Sequence, residues 1–151
     1  MSTKILARNR KARFDYFLLD HYEAGIVLQG SEIKSIRAGH ISIAEAYVRI
    51  IDDEAWLIDA HIAPYDQASH FNHEPRRTRK LLLHRSELNR LEKAVLSKGV
   101  TIIPTMVYLK NGRAKIEIAL AKGKKRHDKR QAIAKRDMER EVQRQLLNRD
   151  R

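Results

Sequence analysis

The sequence predicts a mainly β fold with helices, most naturally a small antiparallel OB-like barrel, or a sandwich, flanked by short helices. Two observations lead to this prediction. Before residue 122, about six short segments rich in β-branched and aromatic residues alternate with turn residues, and two segments have a helical pattern. After that point the chain is too charged to bury. We therefore expect a barrel domain over 1–122 and a basic tail, disordered or helical, over 123–151.

The first strands are predicted from local composition. Residues 14–29 resemble two short strands separated by a polar break. Residues 41–51 and 55–62 suit a hairpin whose turn is acidic. A long loop follows over 64–79, because this segment holds two of the three prolines and has little periodicity.

The strongest hairpin signal lies in residues 100–121. Asn111 and Gly112 tolerate the positive φ angles that a two-residue turn requires. Alternating aliphatic residues on the second strand predict one buried face, with Lys115 on the other face. Pro104 favours an edge position or an irregular start for the first strand.

Two helices are predicted. The first spans 31–38, with Ser31 as its N-cap and Gly39 as its end. It leaves three charged side chains pointing away from the core: Glu32, Lys34 and Arg37. The second begins at Ser86 and ends at Gly99. Its apolar stripe comprises Leu88, Leu91, Val95 and Leu96.

Charge indicates the class of partner. The chain of 151 residues carries 31 Lys and Arg against 19 Asp and Glu, a net charge of +12. Residues 122–151 hold twelve of these cations and five of the acids. Such an excess favours polyanions, nucleic acid above all.

Other features limit the alternatives. The chain has no cysteine, no apolar run near the length of a membrane span and no apolar segment typical of a signal peptide, so we expect a cytoplasmic protein that avoids membranes. It contains no P-loop, GxSxG or HExxH motif, so we expect no enzyme and no cofactor. His70, His73 and Glu74 lack a further nearby ligand, so no metal site is expected.

The tail admits three interpretations. Its composition favours helix from residue 131 onward, and one narrow apolar stripe recurs at Ala134, Met138, Val142 and Leu146. The segment could be an amphipathic helix packed on the barrel. It could be a disordered basic tail, or it could fold only on a polyanion.

Five stretches, in this order and spacing, resemble the SsrA-binding protein (SmpB) family. They are NRKARFDYF, YEAGIVLQGSEIKSIRAG, RTRKLLLH, GRAKIEIALAKGKK and HDKR, within residues 9–140. The resemblance implies an OB-type barrel that binds the tRNA-like domain of tmRNA. It also implies delivery of tmRNA to the A site of a stalled 70S ribosome for trans-translation. Elongation factor Tu and alanyl-tRNA synthetase are implied as indirect partners through tmRNA.

The resemblance also implies roles for individual residues. Those matching the family's RNA-binding motifs are Glu23, Glu32, Lys34, Arg37, Leu82, Lys115, Lys122, Lys124 and Lys125. Those matching the segment in the 16S rRNA decoding centre and the empty mRNA channel are His127, Asp128, Lys129, Arg130, Lys135 and Arg136. From the residues alone, Leu82 is equally suited to the core, and Glu32 with Arg37 to a surface ion pair. A generic OB-fold RNA-binding or ribosome-associated protein remains the alternative function.

Overall fold

The computed structural model describes residues 3–65, 72–124 and 135–144. The strands are β1 Thr3–Arg8, β2 Tyr16–Ile26, β3 Ile41–Ser42, β4 Tyr47–Ile51, β5 Glu54–Ile58, β6 His61–Ile62, β7 Arg79–Leu82, β8 Val100–Lys110 and β9 Arg113–Gly123. The helices are α1 Arg10–Asp15, α2 Gly30–Arg37 and α3 Arg85–Ala94. Residues 135–144 are also helical.

Six antiparallel strands close into a ring, which confirms the predicted barrel. Their order is β8-β4-β5-β7-β2-β9, and β9 pairs again with β8 to complete the circuit. Strand β4 pairs with β8 at Ile102, and β1 pairs with the same side of β8 farther along, from Met106 to Lys110. Strand β3 pairs with β6 in a separate two-stranded sheet. Closure leaves an apolar interior, where Leu57, Ile102 and Ile116 are almost completely buried.

Both predicted hairpins form because their turns are encoded locally. The strands predicted over 41–51 and 55–62 are each broken in two, however: β4 and β5 form the hairpin in the barrel, and β3 and β6 pair separately. Asp52 and Asp53 have φ of 51° and 62°, and Asn111 and Gly112 have φ of 53° and 77°. Positive φ at both central residues gives a turn whose twist matches the strands on either side. The alternation on β9 is also confirmed, since the side chains of Ile116 and Ile118 are buried.

The N-terminal segment differs from prediction. Residues 14–29 do not form two strands, because β2 runs without interruption through the polar residues Asp20 and His21. Its pairing with β9 instead shifts register between Leu18 and His21. Strand β1 and helix α1 were not predicted. Helix α1 lies on the outside of the barrel, where Ala12 packs with Ile103 and Ala121 in a second apolar cluster.

The helix caps also differ from prediction. Gln29 is the N-cap of α2, and its backbone N–H donates to Glu32 at 2.7 Å, as in a capping box. His84 caps α3 in the same way through Glu87. The second predicted helix extends too far toward Gly99, because α3 stops at Ala94. Leu96, the last residue of the predicted apolar stripe, is 84% exposed.

Pro104 is not at the start of its strand, but it does lie at a local edge of β8, between Ile102, which pairs with β4, and Met106, which pairs with β1. It sits inside β8 opposite Ile118 of β9, next to a register shift between Pro104 and Met106. A bulge is where a strand tolerates a residue without an N–H donor. Strand β9 ends at Gly123, and the backbone N–H of Lys124 donates to the backbone carbonyl oxygen of Asp15 at 3.0 Å. The described barrel therefore continues just past the predicted boundary at residue 122.

Candidate nucleic-acid interface

Three predicted RNA-binding residues meet on the outer face of the barrel. Gly25 of β2 is in register with Leu82 of β7 on one side and with Lys115 of β9 on the other. Residues in register point to the same face of a sheet, so Leu82 and Lys115 flank the glycine. Leu82 is 54% exposed and covers Gly25, with its Cβ 3.4 Å from the place a Gly25 side chain would begin. We call this surface the hairpin-end face.

Glu23 lies on the same face, two residues before Gly25. The hydroxyl of Tyr108 reaches across β9 and donates to the Glu23 carboxylate, and Lys110 lies 3.5 Å from it. The hydrogen bond from Tyr108, followed by the charges of Lys110 and Lys115, holds the pKa of Glu23 below its usual value despite partial desolvation. Burial and the bond to Glu23 raise the pKa of Tyr108. Glu23 is therefore an ionised acceptor with a fixed orientation.

Cations surround this acceptor. A hollow of about 470 Å³ is lined by Glu23, Lys110, Asn111, Arg113 and Lys115. Arg37 of α2 is at its border, because its guanidinium lies 3.4 Å from the carbonyl oxygen of Gly112 in the hairpin turn. Such a surface offers phosphates several cationic partners, and offers a base amino group or a ribose hydroxyl one carboxylate.

Lys34 lies on α2 beside the predicted long loop. Its ammonium is 5.5 Å from the centre of the Tyr65 ring, which fits a cation–π contact. The structure therefore gives Lys34 an intramolecular partner, and its RNA-binding role stays a prediction.

Lys122 and Lys124 are at the opposite end of the barrel. Lys122 pairs in register with Phe17, about seven residues and roughly 23 Å along β9 from Lys115. The ammonium of Lys124 donates to the carbonyl oxygen of Arg13 at 3.0 Å and lies 5.1 Å from the centre of the Phe17 ring. Lys124 thus ties the end of β9 to α1. We call this region the exit end.

The prediction for Glu32 is wrong in its placement. Its side chain is fully buried, so it has no surface to offer RNA, and it does not pair with Arg37. It accepts from Arg77 at 2.6 Å and from Arg79, which is also fully buried. Burial alone would raise the pKa of Glu32, but the donors, Arg77 first, hold it below its usual value.

The cluster of Glu32, Arg77 and Arg79 has a structural role that a local sequence pattern could not reveal. Arg79 also donates to the carbonyl oxygens of Ala60 at 2.9 Å and Pro75 at 3.1 Å. Burial lowers the pKa of Arg79, while Glu32 opposes that shift. The cluster joins α2, β7 and the segment before β7 through one carboxylate.

The tail residues divide between two regions. Lys125, His127, Asp128, Lys129 and Arg130 lie outside the described residues. Lys135 and Arg136 belong to the helical segment 135–144, in which each of the ten residues is exposed. Packing on the barrel, one of the three interpretations of the tail, is therefore not seen over these ten residues.

Sequence reasoning missed the residues that orient Glu23. Tyr108 and Lys110 are two residues apart on β8 and therefore share a face, although Tyr108 is itself buried. Arg113, which lines the same hollow, begins the paired strand. The spacing of two along β8 was a usable signal, but the register across three strands was needed to connect β8 with Glu23.

The loop histidine has a structural position. His73 is buried, its Nε2–H donates to the carbonyl oxygen of Ile62 at 2.9 Å, and its Nδ1 lies 2.8 Å from the hydroxyl of Ser31. Within 3–65, 72–124 and 135–144, His, Asp and Glu form no group of three or more that could hold a metal ion. In those same ranges no helix has the length and apolar character needed to cross a membrane.

These features define a closed β-barrel whose basic outer face suits a polyanion. A sequence profile described as "SmpB protein" matches residues 6–148. "SsrA-binding protein" of Roseiflexus sp. (strain RS-1) is 56% identical over 149 residues, covering 98% of this chain and 94% of that protein. The protein of the same name from Enterococcus hirae is 51% identical over 145 residues, covering 96% and 94%.

A solved structure agrees with the sequence matches. It is described as "tmRNA-SmpB: a journey to the center of the bacterial ribosome", and one of its chains is similar to this chain with a TM-score of 0.68 and 45% identity. The match covers 84% of this chain and 93% of that one. The chain belongs to the SmpB protein family.

Proposed function

We propose that this protein binds the tRNA-like domain of tmRNA and delivers it to the A site of stalled ribosomes in the bacterial cytoplasm. The observation that carries the proposal is the meeting of Glu23, Leu82 and Lys115 on the hairpin-end face, from three different strands. The names of its relatives and of the similar structure support tmRNA and the 70S ribosome as partners.

The chemistry of the hairpin-end face suits a folded RNA. Lys115, Lys110 and Arg113 supply phosphate contacts that position the protein. The fixed carboxylate of Glu23 selects a hydrogen-bond donor such as a base amino group or a 2′-hydroxyl. Leu82 adds an exposed apolar surface for a ribose or a base. The protein acts by binding and not by catalysis.

The tail has a separate role in this proposal. It occupies the empty mRNA channel as a helix, with His127, Asp128, Lys129 and Arg130 at the 16S rRNA decoding centre and Lys135 and Arg136 farther along. Its excess of cations and the exposure of residues 135–144 support this role. Elongation factor Tu and alanyl-tRNA synthetase join indirectly, through tmRNA.

A competition assay tests the binding proposal. Labelled tRNA-like domain of tmRNA is challenged with excess bulk tRNA at physiological salt, because the salt concentration sets the non-specific background. We expect binding to survive the competitor and to weaken in Lys115→Ala but not in Arg90→Ala, a control at an exposed cation of α3. Equal affinity for both RNAs, with a steep salt dependence, would identify a generic RNA-binding barrel instead.

Truncation tests the role of the tail. The cut belongs after Lys124, because that residue contacts α1 and Phe17. Removal of residues 125–151 should leave binding of the tRNA-like domain largely intact and abolish tagging on stalled ribosomes. Normal tagging by the truncated protein would refute the channel role without affecting the binding proposal.

A further inference from the structure

A basic groove lies beside α1, between the two predicted RNA-binding regions. It has a volume of about 560 Å³. Its cationic side chains are exposed arginines from the end of β1 and from α1, and none of them was among the predicted site residues. The groove is lined by Arg8, Asn9, Arg10, Arg13, Leu18, His21, Thr105, Met106 and Glu117.

The wall of the groove is held rigidly by Asn9. This buried side chain accepts from the backbone N–H of Ala12 at 3.2 Å and donates to the carbonyl oxygen of Pro104 at 2.9 Å. Ala12 is buried in the outer apolar cluster, so α1 is fixed to the barrel at both points. Arg10 and Arg13 are three residues apart, which places them on neighbouring positions of one helix face.

The floor of the groove combines apolar and polar surface. Leu18 and Met106 contribute apolar area. In register with Met106, the carboxylate of Glu117 accepts from the hydroxyl of Thr105 at 2.6 Å, which fixes its orientation. This combination suits a nucleotide. The arginines can bind its phosphate, the apolar area can contact its base, and the carboxylate can accept a hydrogen bond from a base amino group.

The groove also connects the two ends of the interface. Glu117 is in register with Glu23 of the hairpin-end face and with Met106, which is in register with Arg8. Toward the exit end, a hollow of about 330 Å³ shares Arg13, Leu18 and His21 with the groove and adds Tyr16, Phe17 and Lys124. A strand of RNA can therefore follow one continuous surface from Lys115 to Lys124.

We propose that this groove binds one unpaired RNA nucleotide whose base carries an exocyclic amino group, in continuity with the hairpin-end face. The inference rests on the proposed function, because it extends the surface assigned there to tmRNA. Arg10 and Arg13 hold the phosphate, and Glu117 accepts a hydrogen bond from the amino group. Cytosine fits this arrangement, whereas the O4 oxygen of uracil faces a carboxylate that repels it.

The first test compares two matched double variants. Arg10→Ala with Arg13→Ala removes the groove cations, and Arg90→Ala with Lys93→Ala removes two exposed cations with the same spacing on α3. We expect the groove variant to bind the tRNA-like domain roughly tenfold more weakly and to lower the salt slope by about 0.7, the value for one neutralised phosphate of a single strand. Equal effects of both variants would overturn the proposal.

The second test uses short RNA probes and does not depend on tmRNA. Hexamers of cytidine and of uridine are titrated into the full chain, with chemical shifts of Thr105 and His21 as the readout. We expect the cytidine hexamer to bind severalfold more tightly, and Glu117→Gln to remove that preference while circular dichroism melting shows an intact fold. Shifts confined to the hairpin-end face, or no preference between hexamers, would refute the groove site. Loss of tmRNA selectivity with an intact hexamer preference would refute the proposed function alone.

Discussion

Glu23 and Glu32 are two carboxylates with cationic neighbours and lowered pKa values, yet they lie in different surroundings. The Glu23 side chain is 41% exposed and the Glu32 side chain is fully buried. Glu23 therefore keeps surface through which a ligand can be bound, whereas Glu32 has none and accepts from Gln29, Arg77 and Arg79 inside the protein. Burial therefore separates the two carboxylates: the structure leaves only Glu23 open to a ligand.

The largest effect should follow loss of the buried charge. We expect Glu32→Gln to lower the free energy of unfolding by about 3–5 kcal/mol, because it leaves buried Arg79 without an opposing charge. Urea denaturation measures the change. Glu54→Gln is the control, since it breaks a 3.0 Å pair with Lys80 that is partly exposed, and it should cost about 0–1 kcal/mol. Equal costs would remove the distinction between buried and exposed carboxylates.

Low pH should reveal how much the ionised side chain of Glu32 contributes to stability. The pKa of Glu32 is lowered in the fold from 4.5, so the stability this group contributes is complete above pH 4.5 and is lost as the pH falls through the folded-state pKa. Urea midpoints between pH 7 and pH 3 should show this loss in the wild-type chain and a smaller loss in Glu32→Gln. Parallel curves for the two proteins would show that Glu32 is not the group responsible.

Leu82→Ala should weaken RNA binding and leave stability nearly unchanged, whereas Glu32→Gln should mainly lower stability. Leu82 is 54% exposed, so we expect the free energy of unfolding to change by less than about 1 kcal/mol. The Kd for the tRNA-like domain should rise roughly tenfold, about 1.4 kcal/mol, because an apolar contact is lost. Stability and binding are measured on the same preparation. A large loss of stability with unchanged affinity would assign Leu82 to the core.

The smallest effect on affinity is expected for Tyr108→Phe. This change removes the hydroxyl that orients Glu23, which should cost about 1 kcal/mol of stability and raise the pKa of Glu23 toward its usual value. Affinity for the tRNA-like domain should fall severalfold, less than in Glu23→Ala. Carboxyl chemical shifts against pH report the pKa directly, and an unchanged titration would show that Tyr108 does not orient Glu23.

The sequence predicted features that short segments determine. Asn111-Gly112 and Asp52-Asp53 set their own turns, so the two hairpins were predictable. Helix α1 was missed because a charged stretch of six residues has little helical pattern, and it is held by Asn9 through contacts with distant Pro104 and Ile43. Its stability comes from tertiary packing.

The site was predictable in part. Family resemblance selected Glu23, Leu82 and Lys115, but only the register through Gly25 brings the last two beside one another. The burial of Glu32 was not predictable, because its partners Arg77 and Arg79 lie 45 and 47 residues later in the chain. A charged residue in a helix is expected on the surface unless such a partner is known.

The position of β1 has a consequence for how the protein behaves in concentrated solution. Among the described strands β1 pairs with β8 only, so one backbone edge is open, and an open edge can recruit a second molecule. Lys4 and the register shift between Ile5 and Ala7 both discourage such pairing. An apolar extension fused before Thr3 would lengthen this edge and promote aggregation, so any fusion at that end should begin with charged residues.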